Sequence, residues 1–170
     1  MTTPIRSLFA ALALLLAAPM AVAQVAAPTI AARSWLLLDV TSGQTLAASD
    51  PDTKVEPASL TKLMTAYLTF SALKAGTIKP DQVVPVSTRA WRMEGSRMFI
   101  EPNKPVTVDE LIRGVIVQSG NDACVVLAEA ISGSEEAFAD MMTERARAIG
   151  LTQTTLRNST GWPDPNHRMS

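Results

Sequence analysis

The sequence has 170 residues, of which 15 are lysine or arginine and 16 are aspartate or glutamate, giving a formal net charge of −1. This near-neutral balance argues against nucleic acid as a partner, because binding to phosphate backbones requires a basic surface. The single cysteine and single histidine exclude an internal disulfide framework and the common zinc sites. We therefore expect no metal and no cofactor, and the length suits one domain.

The N-terminus has the order of features found in a secretory signal peptide. Within Met1–Ala23, the single charged residue Arg6 precedes the apolar run Leu8–Ala18, and Ala21-Val22-Ala23 supplies the small residues of a cleavage site. An uncleaved membrane anchor is the alternative, but the run is shorter than the roughly 18 residues of a spanning helix. We expect a secreted, periplasmic or otherwise extracytoplasmic protein whose mature chain starts at Gln24.

The mature chain is predicted to begin with two strands and to continue with helices. Residues 34–40, the turn 41–43 and residues 44–48 predict an antiparallel hairpin. Start and stop residues then predict helices over 57–74, 87–91, 107–118, 122–131 and 134–149. Residues 93–105 are predicted to be irregular, with 97–100 as a possible short strand. This order indicates an α+β fold, and further strands are expected because two alone do not bury a face.

Lys62 is the unusual residue of the first predicted helix. It is the only charged residue between Thr61 and Leu73, and apolar side chains surround it on nearly every side of the helix. A helix that is apolar all round is predicted to be buried, and lysine is rarely buried without a partner. Because burial disfavours the ammonium form, the pKa of Lys62 should fall, as a lysine general base requires.

Ser59 lies three residues before Lys62 and is therefore within reach of it on a helix. In the first turn, free backbone N–H groups also stabilise negative charge on its oxygen, so the pair combines a nucleophile with its base. The alternative is that Ser59 is only a helix cap and that Lys62 extends to solvent. Ser71 and Lys74 repeat the spacing at the helix end, where a solvated lysine is ordinary.

Ser119-Gly120-Asn121 joins two apolar predicted helices and should form a tight corner. Such a corner can present a hydroxyl and an amide to a neighbouring cleft. The alternative is an ordinary glycine at the end of one helix followed by an asparagine cap for the next.

Longer segments around both motifs carry a family resemblance. Residues 56–67, EPASLTKLMTAY, and residues 114–124, GVIVQSGNDAC, resemble the active-site helix and second motif of serine-type D-alanyl-D-alanine carboxypeptidases, the low-molecular-mass penicillin-binding proteins. Residues 96–99 and 158–164 are similar to family segments as well, so the resemblance covers residues 34–170. It implies the fold of penicillin-binding proteins and serine β-lactamases, an antiparallel sheet with a helical subdomain, here incomplete at the C-terminus.

The resemblance also implies residue roles. Ser59 would attack the carbonyl between the two terminal D-alanines of a peptidoglycan stem peptide, and its backbone N–H would be half of the oxyanion hole. Lys62 would take the Ser59 proton, and Ser119 would relay a proton to the leaving amine. Asn121, with Gly120, would contact the substrate peptide, or Asn121 would orient Lys62. β-Lactam antibiotics would acylate the same serine.

One departure from the family pattern is the absence of Lys-Thr-Gly, the element that binds the substrate carboxylate and contributes the other oxyanion donor. We therefore interpret residues 24–170 as the N-terminal part of a catalytic domain, truncated before that strand and inactive alone. The family's C-terminal domain and membrane anchor are also absent from this chain, and membrane contact is expected only through such an anchor.

Two other functions remain open from the residues. A class A-like serine β-lactamase shares Ser-x-x-Lys but needs an aspartate where Gly120 stands and a downstream glutamate, which residues 151–170 lack. A catalytically silent peptidoglycan-binding module would be expected to lack Ser59, Lys62 or Ser119. Cys124 is predicted to be a small core residue and His167 a solvated loop residue.

Overall fold

The computed structural model describes residues 28–170, so the predicted signal peptide lies outside the described residues. The chain divides into one compact unit that ends at Ser49 and a second unit, Asp50–Ser170. Among the described residues, no helix is both long enough and apolar enough to cross a membrane.

The first unit contains the predicted hairpin. Strand β1 (Trp35–Asp39) pairs antiparallel with β2 (Gln44–Ser49), and the register shifts at a bulge between Leu37 and Leu38. The Asp39 carboxylate accepts hydrogen bonds from the Thr41 N–H and the Ser42 hydroxyl in the turn. The hairpin prediction is thus confirmed.

The second unit is mostly helical. A 3₁₀ turn (Ala58–Thr61) leads into α1, and the α-helices of residues 50–170 are α1 (Lys62–Ala75), α2 (Thr88–Trp91), α3 (Val108–Gln118), α4 (Asn121–Ser132) and α5 (Glu135–Ala148). Two short strands, β3 (Val83–Val84) and β4 (Val106–Thr107), pair antiparallel. Single β-bridges join Val55 to Met169 and Thr155 to Arg168.

The helix ends follow the predicted capping residues. Gly76 has a left-handed φ of 72° after α1, and the side chains of Ser87 and Ser134 accept backbone N–H bonds at the starts of α2 and α5. Thr107 and Glu110 form a complete capping box on α3. These local hydrogen bonds satisfy backbone donors that no helix can satisfy internally.

Helix α4 is the centre of the helical core. Its residues 121–128 are all buried, and Cys124 among them is fully inaccessible, which confirms its predicted core position. Side chains of α3 and of the segment 78–106 cover one part of α4, and Leu68, Phe138, Met142 and Leu156 pack with Ala128 on another. This packing holds the N-terminus of α4, where Asn121 lies, in a fixed place.

The prediction that the first helix is buried all round is wrong. Leu60 and Leu63 are 63% and 72% exposed, whereas Thr65 and Thr69 are fully buried. Burial of these polar residues is possible because the Thr65 hydroxyl donates to the Ser159 carbonyl and the Thr69 hydroxyl donates to the Thr65 carbonyl.

The possible strand over 97–100 is also absent, and those residues are irregular. The backbone N–H groups of Met98, Phe99 and Ile100 donate to the Asp122 carboxylate and not to a neighbouring strand. The backbone curves around this carboxylate, and Phe99 has a left-handed φ of 62°. Asp122 thereby fixes the loop 94–100 against the start of α4.

Candidate active site

Ser59 and Lys62 meet in a tighter turn than the sequence predicts. Ser59 belongs to the 3₁₀ turn, and Lys62 is the first residue of α1. Side chains three residues apart eclipse each other in a 3₁₀ helix, and the Lys62 Nζ donates to the Ser59 Oγ at 3.2 Å. Ala58, directly before the serine, has an unusual φ of 46°, so the turn is conformationally strained.

The amine of Lys62 is almost removed from solvent. The residue is 7% exposed, and its Nζ also donates to the Thr160 carbonyl at 2.9 Å. Burial lowers the pKa of Lys62 below its ordinary value of 10.5. The neighbouring Cys124 opposes this shift without reversing it, and burial raises the pKa of its own thiol to about 12. Within residues 28–170, no carboxylate lies within ion-pair distance of the Lys62 amine.

Ser119 approaches the same serine from the other side. It ends α3 with a left-handed φ of 55°, and its Oγ donates to the Ser59 Oγ at 3.3 Å. Asn121, two residues after Ser119, holds this turn because its backbone N–H donates to the Ser96 carbonyl at 2.7 Å. The structure therefore places the amine and both hydroxyls in one continuous hydrogen-bonded chain.

The two residues predicted to bind substrate lie beside this chain. The Asn121 side-chain amide donates to the Glu94 carbonyl at 2.7 Å, and its residue is 7% exposed. The Gly120 N–H donates to the Gly114 carbonyl, and Gly120 is the N-cap residue of α4 at the corner between α3 and α4. No hydrogen bond joins Asn121 to Lys62 within the described chain. Their roles toward a substrate stay predictions.

The loop 158–162 completes the site, although no role for it was predicted from the sequence. The Asn158 Oδ1 accepts the backbone N–H groups of residues 160, 161 and 162 and so shapes a compact turn. Gly161 has a φ of 84°, and a Cβ there would lie 1.8 Å from the Ala58 carbonyl oxygen. The turn consequently packs its backbone directly against the strained residue before Ser59. The presence of Asn158 and Gly161 was the sequence signal that could have predicted this turn, because both residue types favour such turns.

The prediction that His167 is a solvated loop residue is wrong. His167 is 2% exposed, and its Nε2 lies 2.8 Å from the Thr61 Oγ1. Its Nδ1 accepts the backbone N–H of Arg157 at 3.0 Å. Burial is possible because both ring nitrogens have partners, which sequence spacing alone did not reveal.

Comparison with known proteins places this geometry in a family. The sequence model of the D-alanyl-D-alanine carboxypeptidase family, Peptidase S11, matches residues 21–170. The chain belongs to this family. It is 45% identical over 147 residues to the D-alanyl-D-alanine carboxypeptidase DacC of Escherichia coli K12, covering 83% of this chain and 37% of DacC. It is 40% identical over 139 residues to DacF of Bacillus subtilis 168, covering 82% of this chain and 36% of DacF.

A solved family structure has the same fold. Penicillin-binding protein 5 from Haemophilus influenzae superposes with a TM-score of 0.82 at 42% identity, over 86% of this chain and 43% of that one. The predicted α+β fold of the penicillin-binding proteins is therefore confirmed. The chain spans little more than a third of the length of the curated relatives DacC and DacF.

Taken together, these contacts make Ser59 a candidate nucleophile and Lys62 its candidate base, with the Ser119 hydroxyl beside them. A serine hydroxyl needs an adjacent base at neutral pH, and an amine with a lowered pKa serves as one. Ser119, whose hydroxyl donates to the Ser59 oxygen, is the candidate for passing a proton onward. The arrangement suits acyl transfer through a covalent serine ester.

Proposed function

We propose that the intact protein is a serine carboxypeptidase that removes the terminal D-alanine from peptidoglycan stem peptides through a Ser59 acyl-enzyme. The observation that carries this proposal is the buried Lys62 amine, 3.2 Å from the Ser59 oxygen and without a carboxylate partner among the described residues. Membership of a family of D-alanyl-D-alanine carboxypeptidases supplies the substrate class.

In the first step, neutral Lys62 accepts the proton of Ser59 while the Ser59 Oγ bonds to the carbonyl carbon of the last peptide bond. The resulting oxyanion needs N–H donors, each of which is worth roughly 3 kcal/mol in other enzymes, and the Ser59 backbone N–H is the proposed first donor. Collapse of this intermediate breaks the C–N bond. Ser119 relays the proton from Lys62 to the departing amine, so that free D-alanine leaves.

In the second step, water hydrolyses the ester. Lys62, neutral again, takes a proton from the water while the water oxygen attacks the acyl carbon. When the ester C–O bond breaks, Lys62 returns that proton to the Ser59 Oγ, which leaves as the alcohol. The Thr160 carbonyl, 2.9 Å from the Lys62 Nζ, holds the amine in place through both half-reactions.

The proposal extends to substrate contacts and location. We assign Asn121 and Gly120 to binding of the substrate peptide, and we expect the second oxyanion donor and the carboxylate-binding group from a Lys-Thr-Gly strand of the intact protein. We also propose that the protein acts outside the cytoplasmic membrane, on the basis of the predicted signal peptide within Met1–Ala23. β-Lactams would form the same ester with Ser59.

The test is release of D-alanine by the intact protein from a peptide ending in D-Ala-D-Ala, together with labelling by a fluorescent penicillin. Mass spectrometry should locate the penicillin adduct on Ser59, and Ser59→Ala should abolish both adduct and D-alanine release. Rapid turnover of nitrocefin would favour the β-lactamase alternative. A folded protein with neither an adduct nor D-alanine release would favour the silent binding module.

A further inference from the structure

We propose that His167 is a positioning residue, which in its neutral form ties the loop 157–168, through Thr61, to the 3₁₀ turn Ala58–Thr61 that carries Ser59. The inference rests on the proposed acyl transfer by Ser59. It begins with the two contacts of the buried imidazole, one to the Thr61 hydroxyl at 2.8 Å and one to the Arg157 backbone N–H at 3.0 Å.

These contacts define the tautomer of the ring. A backbone N–H can only donate, so the Nδ1 of His167 must be the unprotonated acceptor. The proton of the neutral ring then lies on Nε2, which donates to the Thr61 Oγ1. Protonation of Nδ1 would place two donors against each other at Arg157, so the observed arrangement requires a neutral ring. Burial favours the same state by lowering the pKa of His167.

Among residues 28–170, no carboxylate forms an ion pair with the His167 ring. Asp164 and Arg168 lie close to the ring on its own segment, and their charges act on it in opposite directions. The Arg168 guanidinium is paired with the Glu56 carboxylate at 3.0 Å. The imidazole is therefore held by hydrogen bonds to neutral groups.

Thr61 is a sensitive place for such a contact. It stands between Leu60 and Lys62 in the turn that carries Ser59, and it is 2% exposed. The loop that His167 closes also supplies the Thr160 carbonyl to the Lys62 amine and packs Gly161 against Ala58. The base of this loop is fixed by the paired backbones of Thr155 and Arg168.

His167 therefore joins two parts of one assembly, the turn that carries the nucleophile and the loop that holds its base. Loss of the imidazole frees the turn to shift relative to the Thr160 carbonyl. A displacement of about 1 Å at reacting atoms costs about 100-fold in rate, so a measurable loss of acylation is expected. Within the part of the chain that the structure describes, no hydrogen bond joins His167 to Ser59 or Lys62.

The experiment measures the rate of Ser59 acylation by a fluorescent penicillin in the intact protein. His167→Ala removes both hydrogen bonds and should slow acylation about 10- to 100-fold. His167→Gln keeps an acceptor for the Arg157 N–H and a donor for the Thr61 hydroxyl, and it should retain most of the rate. Thr61→Val removes only the hydroxyl acceptor and should slow acylation in the same direction as His167→Ala.

A double variant, Thr61→Val with His167→Ala, tests whether the two residues act as one unit. The expected loss is well below the product of the single losses, because contacting residues are not additive. Circular dichroism and thermal unfolding establish which variants are folded. If His167→Ala does not fold, Thr61→Val and His167→Gln still decide the matter.

The outcomes separate this inference from the proposed function. If the wild-type protein forms no Ser59 adduct at all, the proposed function fails. If the wild type is acylated and folded His167→Ala or Thr61→Val matches its rate, the positioning role is overturned. A folded His167→Gln variant as slow as His167→Ala, or multiplicative losses in the double variant, also overturns it.

Discussion

Replacement of Lys62 by methionine is the most direct test of the site. Methionine matches the unbranched stem of lysine but lacks the amine, so the change removes the proposed base at 3.2 Å from Ser59 while it leaves the buried space filled. General bases contribute about 100- to 10,000-fold to rates, and we expect the acylation rate to fall by that amount.

The expected effect of Lys62→Met on stability is much smaller. The Thr160 carbonyl loses its donor at 2.9 Å, and an unpaired buried acceptor costs about 1–3 kcal/mol. Removal of the amine from a residue that is only 7% exposed opposes this cost, because the desolvation penalty of the amine disappears as well. We therefore expect the free energy of unfolding to change by less than about 2 kcal/mol.

The assay compares acylation by fluorescent penicillin in the wild type, Lys62→Met and the matched control Lys74→Met. Lys74 has the same spacing to Ser71 but is exposed at the end of α1, so its replacement should leave the rate unchanged. In the wild type, burial places the pKa of Lys62 below 10.5. The neutral amine therefore accumulates as pH rises through that lowered pKa, and acylation should accelerate with rising pH over the same range. Wild-type acylation rates in folded Lys62→Met would refute the reasoning.

Further predictions concern the loop, the nucleophile and pH. Ser59→Ala should abolish the adduct while the thermal midpoint stays close to that of the wild type, since Ser59 is exposed. Gly161→Ala should lower the free energy of unfolding by more than about 2 kcal/mol, because it adds a clash with Ala58 to a left-handed φ. Gly133→Ala has a similar φ in open space and should cost only about 1–2 kcal/mol in denaturant unfolding; equal losses at both glycines would contradict the clash. Asn158→Ala should destabilise by about 1–3 kcal/mol, whereas Asn158→Asp keeps the oxygen acceptor and should cost less in the same titration. Because burial lowers the pKa of His167, the unfolded chain binds this proton more tightly, so wild-type stability should decline as pH falls below about 6.5. His167→Gln should show a weaker decline over the same range, and an identical decline would show that another group titrates.

The local features were predictable because they depend on neighbours in the chain. The hairpin, the capping box at Thr107 and the glycine stop at Gly76 follow from backbone hydrogen bonds that reach only a few residues. The Ser59–Lys62 pair belongs to the same class, since three residues bring two side chains together on any helical turn.

Apolar pattern was a poorer guide to which surfaces are buried. It predicted Leu60 and Leu63 as inaccessible and gave no reason to bury Thr65 or His167. A polar side chain can be buried when a distant backbone group completes its hydrogen bonds, and the sequence near the residue does not contain that group.

The tertiary structure alone decided which distant groups share the site. Ser119 reaches Ser59 across 60 positions, Thr160 reaches Lys62 across 98, and His167 reaches Thr61 across 106. Such contacts depend on how α1, α3 and the loop 157–168 pack around α4, and that packing follows from the sum of many weak contacts. The sequence by itself predicted Ser59 and Lys62 as a nucleophile and its base, whereas only packing fixed the groups that hold these two side chains in position.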